Sequence, residues 1–349
     1  MKKKTALLLA VAVVAVNLCA CGSKTDVTEN TAITEESTAS SVADDVITFK
    51  MNINDNEASN YYKGALALAE EVKEATQGRI EIEVYGSGSL GDEPECLEMC
   101  QSGDLDIATI ASSKMVSFIP EMAILDQAYL FTTVDQAHAA IDGPVGELLE
   151  KAAYENLGVH YVGSMESGFR NVFSTKPIAS VEDFQGVKIR TMESDSHMLA
   201  FNSFGAVATP LAASEQVTAL QTGTIDACEN AISNMIANGF YDYCPYVTWS
   251  NHAFVYINLF VSDKAWNQVP DDLKDDFADA LRRGCDIQRQ YLQEANDSAV
   301  EELTDMGITF FDIDTSELQR IYQEAAKEAG FTYDAVWQEA LDEAINSVK

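Results

Sequence analysis

The segment whose spacing most suggests chemistry is Gly86-Ser87-Gly88-Ser89-Leu90-Gly91. It fits G-x-G-x-x-G, follows an alternating segment and precedes a helical one, and Asp106 stands near the spacing of a ribose-binding acid. A dinucleotide uses such glycines to bring backbone N–H groups and a bare helix N-terminus against its pyrophosphate. Here the helix opens with Asp92, Glu93 and Pro94, so carboxylates stand where the phosphates would sit. The segment reads as a turn bordering a cleft, and no cofactor is expected. The four histidines, His138, His160, His197 and His252, form no H-x-x-x-H pair, and neither a Gly-x-Ser-x-Gly elbow nor a P-loop occurs. Asp275-Asp276 belong to a solvated helix face, and nothing organises two acids into a hydrolytic pair. Cys96 and Cys100 share a helix face without histidines at ligand spacing, so no metal is expected. With Cys228, Cys244 and Cys285 they form an odd, scattered set that suits buried thiols better than a disulfide framework. No catalytic residue is assigned.

The elements around these residues follow from periodicity. Residues 47–54 and 79–85 alternate as strands. Residues 61–76 make an amphipathic helix with Ala65, Leu68, Ala69 and Val72 on one stripe and Gly78 beyond its end. A short helix over 93–101 and a buried strand over 105–110 complete a βαβαβ unit with parallel pairing. A second set has strands over 159–164, 172–175, 188–191 and 225–229, helices over 194–204 and 213–223, and a return strand over 253–262. Residues 271–306 contain no proline, and only Gly284 interrupts their helical pattern. Leu273, Phe277, Leu281, Ile287, Tyr291, Ala295 and Leu303 mark the expected buried side. At 1.5 Å per residue this helix is about 50 Å long, more than one such domain. The predicted fold is α/β and two-lobed, like a periplasmic binding protein, with the long helix spanning both lobes. Residues 46–166 with 253–285 form lobe I, and 167–252 with 286–349 form lobe II. Several connections crossing between the lobes suggest a hinge with a ligand in the cleft.

The chain has 349 residues, 56 Asp and Glu against 22 Lys and Arg, and a formal net charge of −34. Such a field excludes nucleic acid as a partner. An anionic ligand needs a local cationic pocket, screened from the rest within about 8–10 Å. At the N-terminus Lys2, Lys3 and Lys4 precede an apolar run over residues 6–16, shorter than the roughly 20 residues that cross a bilayer. Leu18-Cys19-Ala20-Cys21 followed by Gly22 resembles a bacterial lipobox. That resemblance implies that residues 1–21 are a lipoprotein signal and that a diacylated Cys21 holds the chain, outside the cytoplasm, on the cell membrane. Residues 22–45 are Ser, Thr, Glu and Asp with small apolar residues and no aromatic, the composition of a flexible tether.

The folded part resembles the solute-binding proteins of TRAP transporters, the tripartite ATP-independent periplasmic systems of DctP type. In order, the resembling segments are Thr76-Gln77-Gly78-Arg79-Ile80-Glu81-Ile82, Gly88-Ser89-Leu90-Gly91, Gly103-Asp104-Leu105-Asp106-Ile107, Gly168-Phe169-Arg170, Lys176-Pro177-Ile178, Gly186-Val187-Lys188-Ile189-Arg190, and Leu220-Gln221-Thr222-Gly223-Thr224-Ile225-Asp226 with Glu229-Asn230. The resemblance implies capture of a small organic acid for two membrane subunits, without turnover. It places the ligand carboxylate on Arg190, whose planar guanidinium offers paired, charge-assisted hydrogen bonds. Arg170 and Asn230 match further cleft positions, and Glu93 falls near a polar one. Pro94 stands where the family often has arginine. Phe169, Trp249 and His252 are further candidates, and Glu229 reads as a structural acid countering an arginine. A sugar acid is preferred to a C4-dicarboxylate, because no second cationic pole is visible. The alternatives are a subunit presenting ligand to a membrane kinase, or an extracellular enzyme acting on sugar acids.

Overall fold

The computed structural model of the chain describes residues 46–348. The expected signal peptide, Cys21 and the tether lie outside them. The described chain has strands β1 (Ile47–Asn52), β2 (Ile80–Tyr85), β3 (Ile107–Ala111), β4 (Val159–Ser174), β5 (Lys188–Thr191), β6 (Val207–Pro210), β7 (Ala227–Asn230), β8 (Tyr246–Ser262) and β9 (Thr309–Asp312). Its helices are α1 (Asn60–Ala75), α2 (Glu93–Ser102), α3 (Ser112–Met115), α4 (Val134–Ile141), α5 (Pro144–Ala152), α6 (Asp195–Ser203), α7 (Gln216–Gln221), α8 (Ile232–Ala237), α9 (Asp263–Trp266), α10 (Lys274–Asp305), α11 (Thr315–Glu328) and α12 (Ala335–Ser347).

The strands form one mixed sheet in the order β2-β1-β3-β8-β4-β7-β5-β6, with β9 added to β8. Pairing is parallel within β2-β1-β3 and within β7-β5-β6, as the βαβ rhythm requires. The antiparallel pair β4 and β8 is the spine common to both halves. The two short strands expected at 159–164 and 172–175 are one strand of 16 residues. Register shifts near Gly163, Gly168 and Arg170 break its alternation, which hid its continuity from a period-2 reading. Gly168 has φ +70°, in the left-handed region that side chains disfavour.

Apolar side chains pack on both faces of each half. Met51, Ile257 and Phe277 lie in one cluster and Ile110, Phe260 and Leu149 in another, both in the first lobe. Val172 and Ile189 lie in a third and the adjacent Phe173 and Cys228 in a fourth, both in the second lobe. All five cysteines in this region are buried and unpaired, and burial pushes the Cys100 thiol up to about 12.

Helix α10 has 32 residues, about 48 Å at 1.5 Å each. Phe277 and Leu281 join a first-lobe cluster, and Ala299 and Leu303 a second-lobe one, so the helix runs along both lobes. Gly284 allows the close approach to α1, since a Cβ there would meet the Leu68 Cβ at 2.5 Å. The expected buried stripe is corrected in its middle. Tyr291 is exposed and Ile287 and Ala295 are only half-buried, whereas Gln288, Arg289 and Leu292 are buried. The physical reason is polar. Gln288 donates to Glu166 O (2.9 Å) and accepts from Glu166 N (2.8 Å), while Arg289 donates to Ser164 O and holds Asp142. These side chains satisfy backbone groups of β4 beside its register shifts. The placement of residues 286–349 with lobe II is also incomplete, because Trp337 and Leu341 of α12 pack into the first-lobe cluster with Ile141 and Leu149.

Candidate functional site

Parallel strands of both halves end at one cavity of about 50 Å³. Asp55 lies just beyond β1, Lys114 beyond β3, Met192 beyond β5, and Asn230 ends β7. This is the position where α/β sheets offer ligands their loops and helix starts. Tyr61 of α1 and Asn234 of α8 close a further side, with Asn234 Nδ2 donating to the Tyr61 hydroxyl at 3.1 Å. Asn56 Nδ2 makes a second bridge of this kind to Ala237 O (3.1 Å) and Asn238 Oδ1 (2.9 Å). The lobes therefore touch over the cavity.

The structure brings Arg170, Arg190, Asn230 and Glu93 together in this lining. The two arginines differ in what they have left to give. Arg170 donates from Nε to Glu229, from Nη1 to Ser167 Oγ (3.0 Å) and Asn230 Oδ1 (3.1 Å), and from Nη2 to Glu229 O (2.6 Å) and Oε1 (3.1 Å). All five of its N–H groups are used. Arg190 donates from Nε (2.9 Å) and Nη2 (2.6 Å) to Leu211 O, and its Nη1 stands 3.6 Å from Glu229 Oε1 without a hydrogen bond. Arg190 is 2% exposed, so that donor is aimed inward.

Glu229 is fully buried between these charges. Burial alone would raise its carboxyl, but Arg170 and the His252 hydrogen bond outweigh that and hold it well below the usual carboxylate range. Asp55 behaves oppositely. Burial and then the neighbouring Glu93 push it up to about 7, against the opposing pull of Arg170, Arg190 and Lys114. The second-lobe end of the cavity thus has cationic character, and the first-lobe end is rich in acceptors.

Lys114 escaped the sequence reading. It is 7% exposed and bridges Asp92 (3.0 Å) and Glu93 (3.0 Å) at the cavity wall. A cationic pole therefore does exist in the first lobe, contrary to expectation, although two carboxylates already hold it. A single lysine within the apolar stretch after Leu105 was the available signal. Asp55, Tyr61, Gln216 and Asn234 were also missed, and the rule that ligands sit at the carboxyl ends of strands would have found Asp55.

Three expected contacts lie elsewhere. Phe169 packs edge-on to Phe254 (5.2 Å between rings) and borders a different cavity beside Tyr129 and Asn251. Trp249 stacks on Phe310 (5.5 Å), where β8 pairs with β9. His252 is fully buried behind Glu229, bonded to Ser250 Oγ (2.9 Å) and Glu229 Oε2 (3.2 Å). Burial lowers its imidazole pKa against the pull of Glu229. It supports the acid that braces Arg170. At the glycine turn, Asp92 accepts from Asn54 Nδ2 (2.8 Å), and its N–H donates to Glu95 (3.1 Å). The start of α2 is thereby occupied by its own carboxylates.

A two-lobed α/β fold with an arginine-lined cavity between strand ends of both lobes defines a periplasmic-type solute-binding protein. The chain matches the family described as bacterial extracellular solute-binding protein, family 7 (DctP), over residues 51–343, and belongs to it. It is a TRAP-type solute-binding protein, of a family that works outside the cytoplasm with membrane subunits. A solute-binding protein of Verminephrobacter eiseniae is 34% identical over 267 residues, 75% of this chain and 79% of that one. The C4-dicarboxylate-binding periplasmic protein DctP of Rhodobacter capsulatus is 27% identical over 75% of this chain and 79% of that one. The sugar acid binding protein of Advenella mimigardefordensis, solved with galactonate, superposes with a TM-score of 0.79 at 26% identity, covering 87% of this chain and 98% of that one.

Proposed function

We propose that the protein captures a sugar acid with one carboxylate and delivers it, without chemical change, to TRAP membrane subunits. The observation that carries this reading is Arg190 Nη1, which is ion-paired with Glu229 at 3.6 Å but makes no hydrogen bond, in a cavity whose lining also holds Glu93 and Asp55. A carboxylate meets Arg190, and hydroxyls donate to the acids. Arg170, with every donor used, braces Glu229 and Asn230 instead of gripping the ligand. Asn230 Oδ1 already accepts from Arg170, Ala231 N and Asn234, which leaves its amide N–H groups for the ligand. The galactonate complex of the Advenella protein supports this choice of ligand. Cys21, in this reading, carries the lipid that holds the protein on the outer face of the cell membrane.

Lys114 favours a second reading, a C4-dicarboxylate, by supplying a cation opposite Arg190. That ligand has to displace Asp92 or Glu93 from Lys114, and a second desolvated carboxylate without a partner is costly. Parallel titration with glucuronate, galacturonate, gluconate, malate and succinate decides between the two. A true ligand at 100 times its dissociation constant stabilises the protein by about 2.7 kcal/mol. Tight binding of malate or succinate alone would select the second reading. Release of Cys21→Ala from membranes tests the anchor.

A further inference from the structure

Beside the arginine cavity lies a larger one of about 630 Å³, and Lys114 lines both. Consecutive residues face the two spaces. Glu93 lines the small cavity and Pro94 the large one, and Met192 lines the small cavity and Glu193 the large one. Ser113 of the first lobe and Met192 of the second meet between them, Oγ to Sδ at 3.5 Å. Ser113, Lys114 and Met192 thus stand between the two spaces, and Lys114 is tied to Glu93 (3.0 Å). The larger chamber is acidic, with Asp126, Glu193 and Asp195 in its lining, and carries hydroxyls from Ser117, Ser194 and Ser196. Asp126 is 5% exposed; its Oδ2 accepts from Ser194 Oγ, and its Oδ1 stands 3.4 Å from His197 Nε2. Such a space repels a second carboxylate and suits the hydroxyls of a neutral sugar.

We propose that Met192, abutting Ser113, is the end wall that sets ligand length. It confines the protein to single-unit acids and shuts off a chamber able to hold a neutral second sugar. Its position explains this role, since Met192 follows Arg190 by two residues and so faces the same cavity. Methionine is flexible enough to fill an irregular gap without forming a polar subsite of its own.

The inference rests on the carboxylate reading above, and the test separates the two. Gluconate and lactobionate, which is gluconate carrying a neutral galactosyl unit, are titrated calorimetrically against the wild-type protein, Met192→Ala and Met192→Leu. The wild type and Met192→Leu bind gluconate and discriminate against lactobionate, whereas Met192→Ala gains lactobionate affinity by about tenfold or more. Ser113→Gly thins the wall from the other lobe and serves if Met192→Ala does not fold. Wild-type binding of lactobionate as tight as gluconate overturns the wall without any variant. Gluconate binding with no lactobionate gain in either opened variant overturns the wall and leaves the carboxylate reading standing. Binding of neither acid by any of these proteins removes the basis of both.

Discussion

Arg170 and Glu229, on the neighbouring strands β4 and β7, form a fully buried ion pair in which the guanidinium has no donor left over. The pair is a framework for the cavity more than a gripping surface. Removing one partner of such a pair leaves an uncompensated buried charge, at about 3–5 kcal/mol. Glu229→Gln is accordingly expected to lower stability by that order in chemical denaturation, with Arg170→Met, Glu229→Leu recovering much of it. The carboxyl of Glu229 is depressed in the folded protein. Its contribution is present above the unfolded value near 4.5 and is lost as pH falls through the folded one.

Arg190 carries the opposite expectation. Its Nη1 has no hydrogen bond and the residue lines the cavity, so its loss is expected to weaken ligand binding directly. Arg190→Lys keeps the charge but loses the planar set of donors and the two hydrogen bonds to Leu211 O. Calorimetry is expected to record a loss of about 2–5 kcal/mol in ligand affinity. Unchanged affinity in Arg190→Ala would remove the residue from the site.

The parallel halves, the long helix and Arg190 were legible because each leaves a local trace: alternation, a proline-free helical run, or a charge at the end of an apolar strand; Arg170, inside β4, was reached only through the family resemblance. What stayed hidden depended on contacts across the chain. β4 read as two strands because its register shifts near Gly163 and Gly168 scramble alternation. Gln288 and Arg289 were not placed on the expected buried stripe, because their partners are backbone groups of that same strand. Trp249 and His252 have side chains that suit a cleft, but pairing with β9 and the position of Glu229 carry them elsewhere. Lys114 looked unremarkable until folding set it beside Asp92 and Glu93.

Two buried acceptors at the cavity have no donor among the described residues, Gln216 Oε1 and Asn234 Oδ1. A ligand hydroxyl can donate to either of them. Gln216→Met keeps the volume and deletes the acceptor. It is expected to weaken ligand binding, as read by calorimetry. Unchanged affinity would remove Gln216 from the ligand contacts, leaving it only its Nε2 bond to Ala213 O (3.3 Å).

Asp55 is expected to make the site sensitive to pH. Its carboxyl rises from 3.8 to about 7 through burial and the charge of Glu93, with Arg170, Arg190 and Lys114 opposing. An acid with a raised folded value keeps its proton longer in the folded protein, so stability falls as pH rises from about 4 to about 7. A bound carboxylate adds negative charge to the same cavity and favours the protonated form still more. Affinity for a sugar acid is therefore expected to strengthen as pH falls from 8 to 6, with proton uptake visible as a buffer-dependent binding enthalpy. Asp55→Asn, neutral throughout, flattens the profile and holds affinity near the low-pH value of the wild type. A wild-type affinity that instead rises with pH would show that ligand hydroxyls donate to ionised Asp55, and that this outweighs the repulsion between the two carboxylates.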